Sequence, residues 1–111
     1  MDKVTFEDFS KIDFRVGTII SVEPFTKAIK PAYKLKIDFG DHGVKWSSAQ
    51  ITNNYSVEDL HGKQIVAAMN IGSKNIGTFK SEVLVMGVDD NNGNVRLLDI
   101  DNRIKNGAKV N

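Results

Sequence analysis

Gly72-Ser73-Lys74-Asn75-Ile76-Gly77-Thr78 places two glycines five apart, in the manner of a loop that cradles phosphate. Such a loop needs a lysine directly after its second glycine to reach a terminal phosphate. Thr78 stands there and Phe79 follows, so the sequence argues against nucleotide hydrolysis. Asp89-Asp90-Asn91-Asn92-Gly93 resembles a calcium loop, but aligning Gly93 with the required glycine puts Val88 at the first ligand position. A hairpin tip accounts for that cluster. His42 and His61 have no second ligand at metal spacing, and the chain holds no cysteine, so neither a metal nor thiolate chemistry is expected. Ser47-Ser48 has no elbow or oxyanion motif around it. The reading is a protein that is not an enzyme and needs no cofactor.

The positive signal is a charge pattern hidden by a net charge of +1. Between Glu23 and Asp38 there is no acid, but there are Lys27, Lys30, Lys34 and Lys36. Between Asp59 and Glu82 there is again no acid, but there are Lys63, Lys74 and Lys80. Lysines gathered on one face would neutralise phosphates, and aromatic side chains beside them would stack on unpaired bases. Tyr33, Trp46 and Phe79 are the aromatic candidates, and Phe79, in a loop beside Lys80, is expected to be the most exposed. Whether the two stretches meet depends on the fold.

The elements that must position them follow from periodicity. Thr5-Phe6-Glu7-Asp8 opens a short helix that ends near Ser10, with Phe6 and Phe9 on one face. Alternation marks a first strand from Phe14 to Val22, ended by Pro24, and a second from Tyr33 to Phe39. Gly40-Asp41-His42-Gly43 then turns the chain into an antiparallel third strand, about Val44 to Ile51. Ser56 to Gly62 reads as a capped one- or two-turn helix. Gln64 to Met69 is a continuous apolar fourth strand. A glycine-bearing loop runs from Asn70 to Lys80, and Val83 to Val88 is a fifth strand, paired with Val95 to Leu98 across Asn92-Gly93.

Three strands, a short helix and further strands are the succession of an all-β OB-fold, a five-stranded Greek-key barrel, here with short helices and terminal extensions. This fold binds oligomers on strands two and three, flanked by the loops joining strands one to two and four to five. Both acid-free stretches fall there. The 111 residues fit one domain, 1–111. The first residues carry acids and no apolar segment, and no run approaches the roughly 18 apolar residues of a membrane span. A cytoplasmic protein without membrane insertion is expected.

Asp13-Phe14-Arg15-Val16-Gly17-Thr18-Ile19 resembles the opening strand of the tRNA-binding domain family. That family includes free-standing tRNA-binding dimers and the C-terminal domain of some methionyl-tRNA synthetases. Pro31 to Gly40, Ser47 to Thr52 and Phe79 to Val85 resemble the CsaA-type secretion chaperones within it, and the likeness runs from about Phe9 to Gly107. The resemblance implies a homodimer on an OB-fold, a chaperone role for exported preproteins, and at least an ancestral capacity for tRNA. Lys34, Asn70, Ser81 and Glu82 stand at positions that match the family's motifs. Tyr33, Ser47-Ser48-Ala49 and Val83-Leu84 depart from the tRNA binders and favour the chaperone branch.

The expected set for nucleic acid or peptide is therefore Lys34, Lys36, Asn70, Lys74, Phe79, Lys80, Ser81, Glu82 and Leu84. Phe6 and Phe9 are expected at the dimer interface, because so short a helix must dock somewhere. Two functions stand side by side. One is a dimeric chaperone that assists export by holding unfolded or pre-export polypeptides. The other is a structure-specific tRNA-binding module, acting alone or in trans with an aminoacyl-tRNA synthetase.

Overall fold

The computed structural model describes all 111 residues. Helix α1 (Phe6–Ser10) precedes β1 (Phe14–Pro24), β2 (Tyr33–Asp38), a 3-10 turn (Gly40–His42) and β3 (Val44–Ala49). Helix α2 (Val57–Leu60) leads into β4 (Gln64–Ala68), β5 (Lys74–Ile76), β6 (Phe79–Ser81), β7 (Leu84–Val85), β8 (Gly87–Asp89) and β9 (Val95–Leu97). Five strands form one antiparallel sheet in the order β3-β2-β1-β4-β7, which curls into a nearly closed barrel of the OB type.

Strand β1 builds both walls. Its first half pairs with β4, from Phe14 opposite Ala68 to Thr18 opposite Gln64. Its second half pairs with β2, from Thr18 opposite Asp38 to Pro24 opposite Tyr33. A register shift between Ile19 and Ser21 bends the strand there, as an extra residue in a ladder does. Gly17 sits just before the bend, where a Cβ would lie 2.6 Å from the Phe39 ring. The missing side chain lets that fully buried ring rest on backbone.

Inside the barrel lie Ile19, Leu35, Ile37, Phe39, Ile51, Leu60, Ile65, Ala67, Val83 and Leu97. Helix α2 plugs one end with Leu60 and is fixed by a capping box. The Ser56 hydroxyl accepts from the Asp59 N–H at 3.1 Å, and the Asp59 carboxylate accepts from the Ser56 N–H at 2.9 Å. Hydrogen bonding from the Ser56 backbone N–H, and then from the Ser56 side chain, holds the Asp59 carboxyl below its ordinary pKa. Residues 104–110 form a strap along the free edge of the first half of β1. Gly107 donates to the Val16 carbonyl at 2.7 Å, Val16 to Ala108 at 3.0 Å, and Val110 to Phe14 at 2.9 Å. The buried Gln64 amide grips the strap, with Nε2 donating to the Ile104 carbonyl at 2.7 Å and Oε1 accepting from its N–H at 3.0 Å.

Two expectations need correction. The segment Asn70–Lys80 is no plain loop, because β5 and β6 pair in it from Lys74 opposite Ser81 to Ile76 opposite Phe79. Its turn is Gly77-Thr78, with glycine at positive φ in the first central place, as a two-residue hairpin turn prefers. The fifth strand is broken. Leu84 and Val85 pair with β4, whereas Gly87–Asp89 pair with β9 alone. The break falls at Gly87, where a Cβ would lie 2.5 Å from Val95 and 2.7 Å from the Arg96 carbonyl oxygen. At the tip of the β8–β9 hairpin the Asp90 carboxylate accepts from the Asn94 N–H, the Asn54 amide and the Asn92 N–H, which lower its pKa. The calcium-like cluster is thus a capped turn.

Candidate binding face

Leu35 and Ile37 point into the barrel, so alternation along β2 turns Lys34 and Lys36 outward. Ser47 is buried in β3, which turns Trp46 and Ser48 outward beside them. Register then sets Glu23, Lys34 and Ser48 in one row across β1, β2 and β3, and Ser21, Lys36 and Trp46 in the next. The β5–β6 hairpin leans over this face and brings Phe79 onto it.

The result is an aromatic cluster capped by ammonium groups. The Phe79 ring meets the edge of Phe25 at 5.2 Å and of Trp46 at 5.9 Å between centroids. Lys34 Nζ lies 4.8 Å from the Phe25 centroid and 5.2 Å from that of Phe79, and Lys36 Nζ lies 5.8 Å from Trp46. Each ring attracts a cation by about 0.5–1 kcal/mol at an exposed site. The three ion pairs of the protein are Lys11–Asp8, Arg15–Asp13 and Lys63–Asp99, so none of Lys34, Lys36, Lys74 and Lys80 has a carboxylate partner. A recess of about 270 Å³ opens beside Trp46 and Phe79, lined also by Glu23, Lys34, Thr78, Lys80 and Glu82.

The two acid-free stretches therefore meet through Lys27 and Lys34 on one side and Thr78 and Phe79 on the other. Lys63 does not join them, since it pairs with Asp99 at 3.5 Å. Phe79 is half-buried in β6 instead of standing free in a loop, because the unforeseen hairpin packs its ring between Phe25 and Trp46. Tyr33 packs against the core and donates its hydroxyl to the Tyr55 carbonyl at 2.9 Å, away from the cluster. Phe25, 6% exposed, belongs to the cluster although sequence reading passed over it. Its only signal was its place inside the first acid-free stretch.

Ser81 and Glu82 serve a seam. The free edge of β3 is held by the Glu82 N–H donating to the Trp46 carbonyl at 2.8 Å and by two side chains. Glu82 Oε2 accepts from the Trp46 N–H at 2.9 Å, and Ser81 Oγ accepts from the Ser48 N–H at 3.0 Å. Asn70 is likewise engaged with backbone. Its Oδ1 accepts from the Asp13 N–H at 2.8 Å and its Nδ2 donates to the Lys11 carbonyl at 2.7 Å, which ties the end of β4 to the approach of β1. Leu84 is half exposed and lines a second, apolar groove of about 380 Å³ with Ile51, Ile71, Ile76, Val83 and Val85, and with Lys74 among its few charged or polar members. On α1, Phe9 stacks on Phe14 at 5.9 Å, while Phe6 remains 81% exposed.

Residues 14–109 match the family described as "Putative tRNA binding domain". The chain belongs to the tRNA-binding domain family. Among solved structures it is similar to chaperone CsaA of Bacillus anthracis str. Ames, at 47% identity and TM-score 0.93, covering 99% of this chain and 100% of that one. It is also similar to a CsaA chaperone protein of Picrophilus torridus, at 52% identity and TM-score 0.91, covering 98% and 100%. These likenesses make it a CsaA-type member of the tRNA-binding domain family. Among curated relatives, methionine–tRNA ligase of Methanocaldococcus jannaschii is 34% identical over 110 residues. The chain spans only 17% of that ligase's length, so the likeness is to one part of it.

Proposed function

We propose that the chain, residues 1–111 acting as one domain, is a non-enzymatic cytoplasmic chaperone that assists protein export by holding unfolded or pre-export polypeptides, and that it also binds tRNA. The observation that carries this reading is the pairing of two chemically different recesses, both lined in part by the β5–β6 hairpin. The groove around Leu84 offers apolar surface to an exposed hydrophobic segment. The face around Lys34 offers unpaired ammonium groups and aromatic rings to phosphates and bases. Near full-length likeness to two chaperones supports the first half, and family membership supports the second. No helix is long and apolar enough to cross a membrane.

The test is a competition. Labelled tRNA and a labelled unfolded polypeptide are each titrated with the protein, and each is then tried as competitor of the other. Both are expected to bind, and Leu84→Asp is expected to weaken polypeptide alone. A protein that binds tRNA and ignores unfolded chains would leave the second reading, a tRNA-binding module alone or in trans with a synthetase. The likeness to one part of the methionine–tRNA ligases favours that alternative.

The working form is proposed to be a homodimer. A five-residue helix with Phe6 and Phe9 exposed is not stable by itself and gains by docking on a second copy. Light scattering at micromolar concentration is expected to show a dimer, and Phe6→Asp with Phe9→Asp to shift it to monomer. A monomeric native protein would end the proposal.

A further inference from the structure

A face that only neutralised phosphate would carry cations alone, yet the recess beside Trp46 and Phe79 also presents two carboxylates. Glu23 is exposed and lies directly across from Lys34 in the β1–β2 register. Its carboxylate accepts no hydrogen bond, and no lysine or arginine nitrogen comes within 4.0 Å of it. Glu82 engages only Oε2, at the Trp46 N–H, which leaves Oε1 without a partner. In an RNA-binding face a carboxylate repels the backbone, so it weakens binding unless it meets a donor. The donors of RNA are the exocyclic amines, the ring N–H groups and the 2′-hydroxyl.

We propose that this recess admits one unstacked nucleobase bearing an exocyclic amine, and that Glu23 is the residue that selects it. The inference rests on the RNA-binding half of the proposed function. Trp46 and Phe79 supply apolar surface for the base. The Glu23 carboxylate accepts from the amine, and Lys80 donates to a carbonyl of the same base. Guanine and cytosine carry both an amine and a carbonyl and satisfy both charges. Uracil carries no amine, and its single ring N–H lies between two carbonyls that repel a carboxylate. Uracil is the base that the recess rejects.

The experiment measures fluorescence anisotropy of single-stranded RNA octamers at one fixed salt concentration. One octamer is all uridine, and two others carry guanosine or cytidine at the central positions. The native protein is expected to bind the guanosine and cytidine octamers about tenfold more tightly than uridine, within the range of one specific base contact. Glu23→Gln keeps the shape of the side chain and is expected to abolish the preference. Glu23→Ala is expected to do the same, and a thermal melt of each variant establishes that it is folded. Equal binding of all three octamers by the native protein overturns the inference, as base-independent contact with the 2′-hydroxyl would produce. So does a preference that survives Glu23→Gln. If tRNA binds without base preference, the selection alone falls. If neither tRNA nor any octamer binds, the RNA-binding reading falls with it.

Discussion

Replacing Lys34 by glutamate is expected to weaken tRNA binding about tenfold at low salt, or about 1.4 kcal/mol. Lys34 lies over two rings at the centre of the face and has no carboxylate partner, so its charge is free to meet a phosphate. Losing one phosphate contact should flatten the dependence of log affinity on log salt by about 0.7–0.9. Lys34→Met separates the charge from the packing, because its stem still covers Phe25 and Phe79. It should flatten the slope equally and melt like the native protein. Lys105 and Lys109 lie on the strap, outside this face, and glutamate at either should change little. If all these substitutions acted alike, the face would be wrong and the lysines would be ordinary solvated surface.

The lysine face was legible because β2 has a strict period of two. Buried Leu35 and Ile37 force Lys34 and Lys36 outward together, and the sequence displays that alternation openly. The elements from β1 to β4 were legible for the same reason, as was the β8–β9 hairpin from its Asn92-Gly93 turn. The β5–β6 hairpin was not. Its strands have three residues each, too short for alternation to register, and its turn begins with a glycine that reads equally well as loop. Phe79 and Phe25 were misplaced or missed in consequence. Ser81 and Glu82 were placed in the binding set on family likeness, which marks a position without saying which way its side chain turns. Glu23 escaped because it ends an acid-free stretch in the sequence, whereas cross-strand register puts it beside Lys34.

Glu82→Ala is expected to destabilise the protein by about 1–3 kcal/mol, the penalty for a half-buried N–H left without its acceptor. The N–H is that of Trp46, and its bond to Glu82 is part-buried. Glu82→Gln retains a side-chain oxygen at the same reach and should melt close to the native protein. Ser81→Ala removes the acceptor of the Ser48 N–H and should resemble Glu82→Ala in direction. Urea unfolding of the three variants, read by Trp46 fluorescence, decides the point. Alanine variants that unfold like the native protein would return Ser81 and Glu82 to the role of surface contacts. Loosening of the seam should also weaken tRNA binding, because Phe79 rides on the hairpin that the seam holds.

A ribosome delivers residues 104–110 late, and until it does the first half of β1 has one bare edge. Gln64 is synthesised 40 residues before Ile104, the partner that its amide grips. At ordinary rates of synthesis the gap is on the order of seconds. During that time the N–H and carbonyl of Val16 can pair with any passing strand, which is the usual route to misassembly between chains. Newborn copies made side by side on one message are therefore exposed to each other through β1.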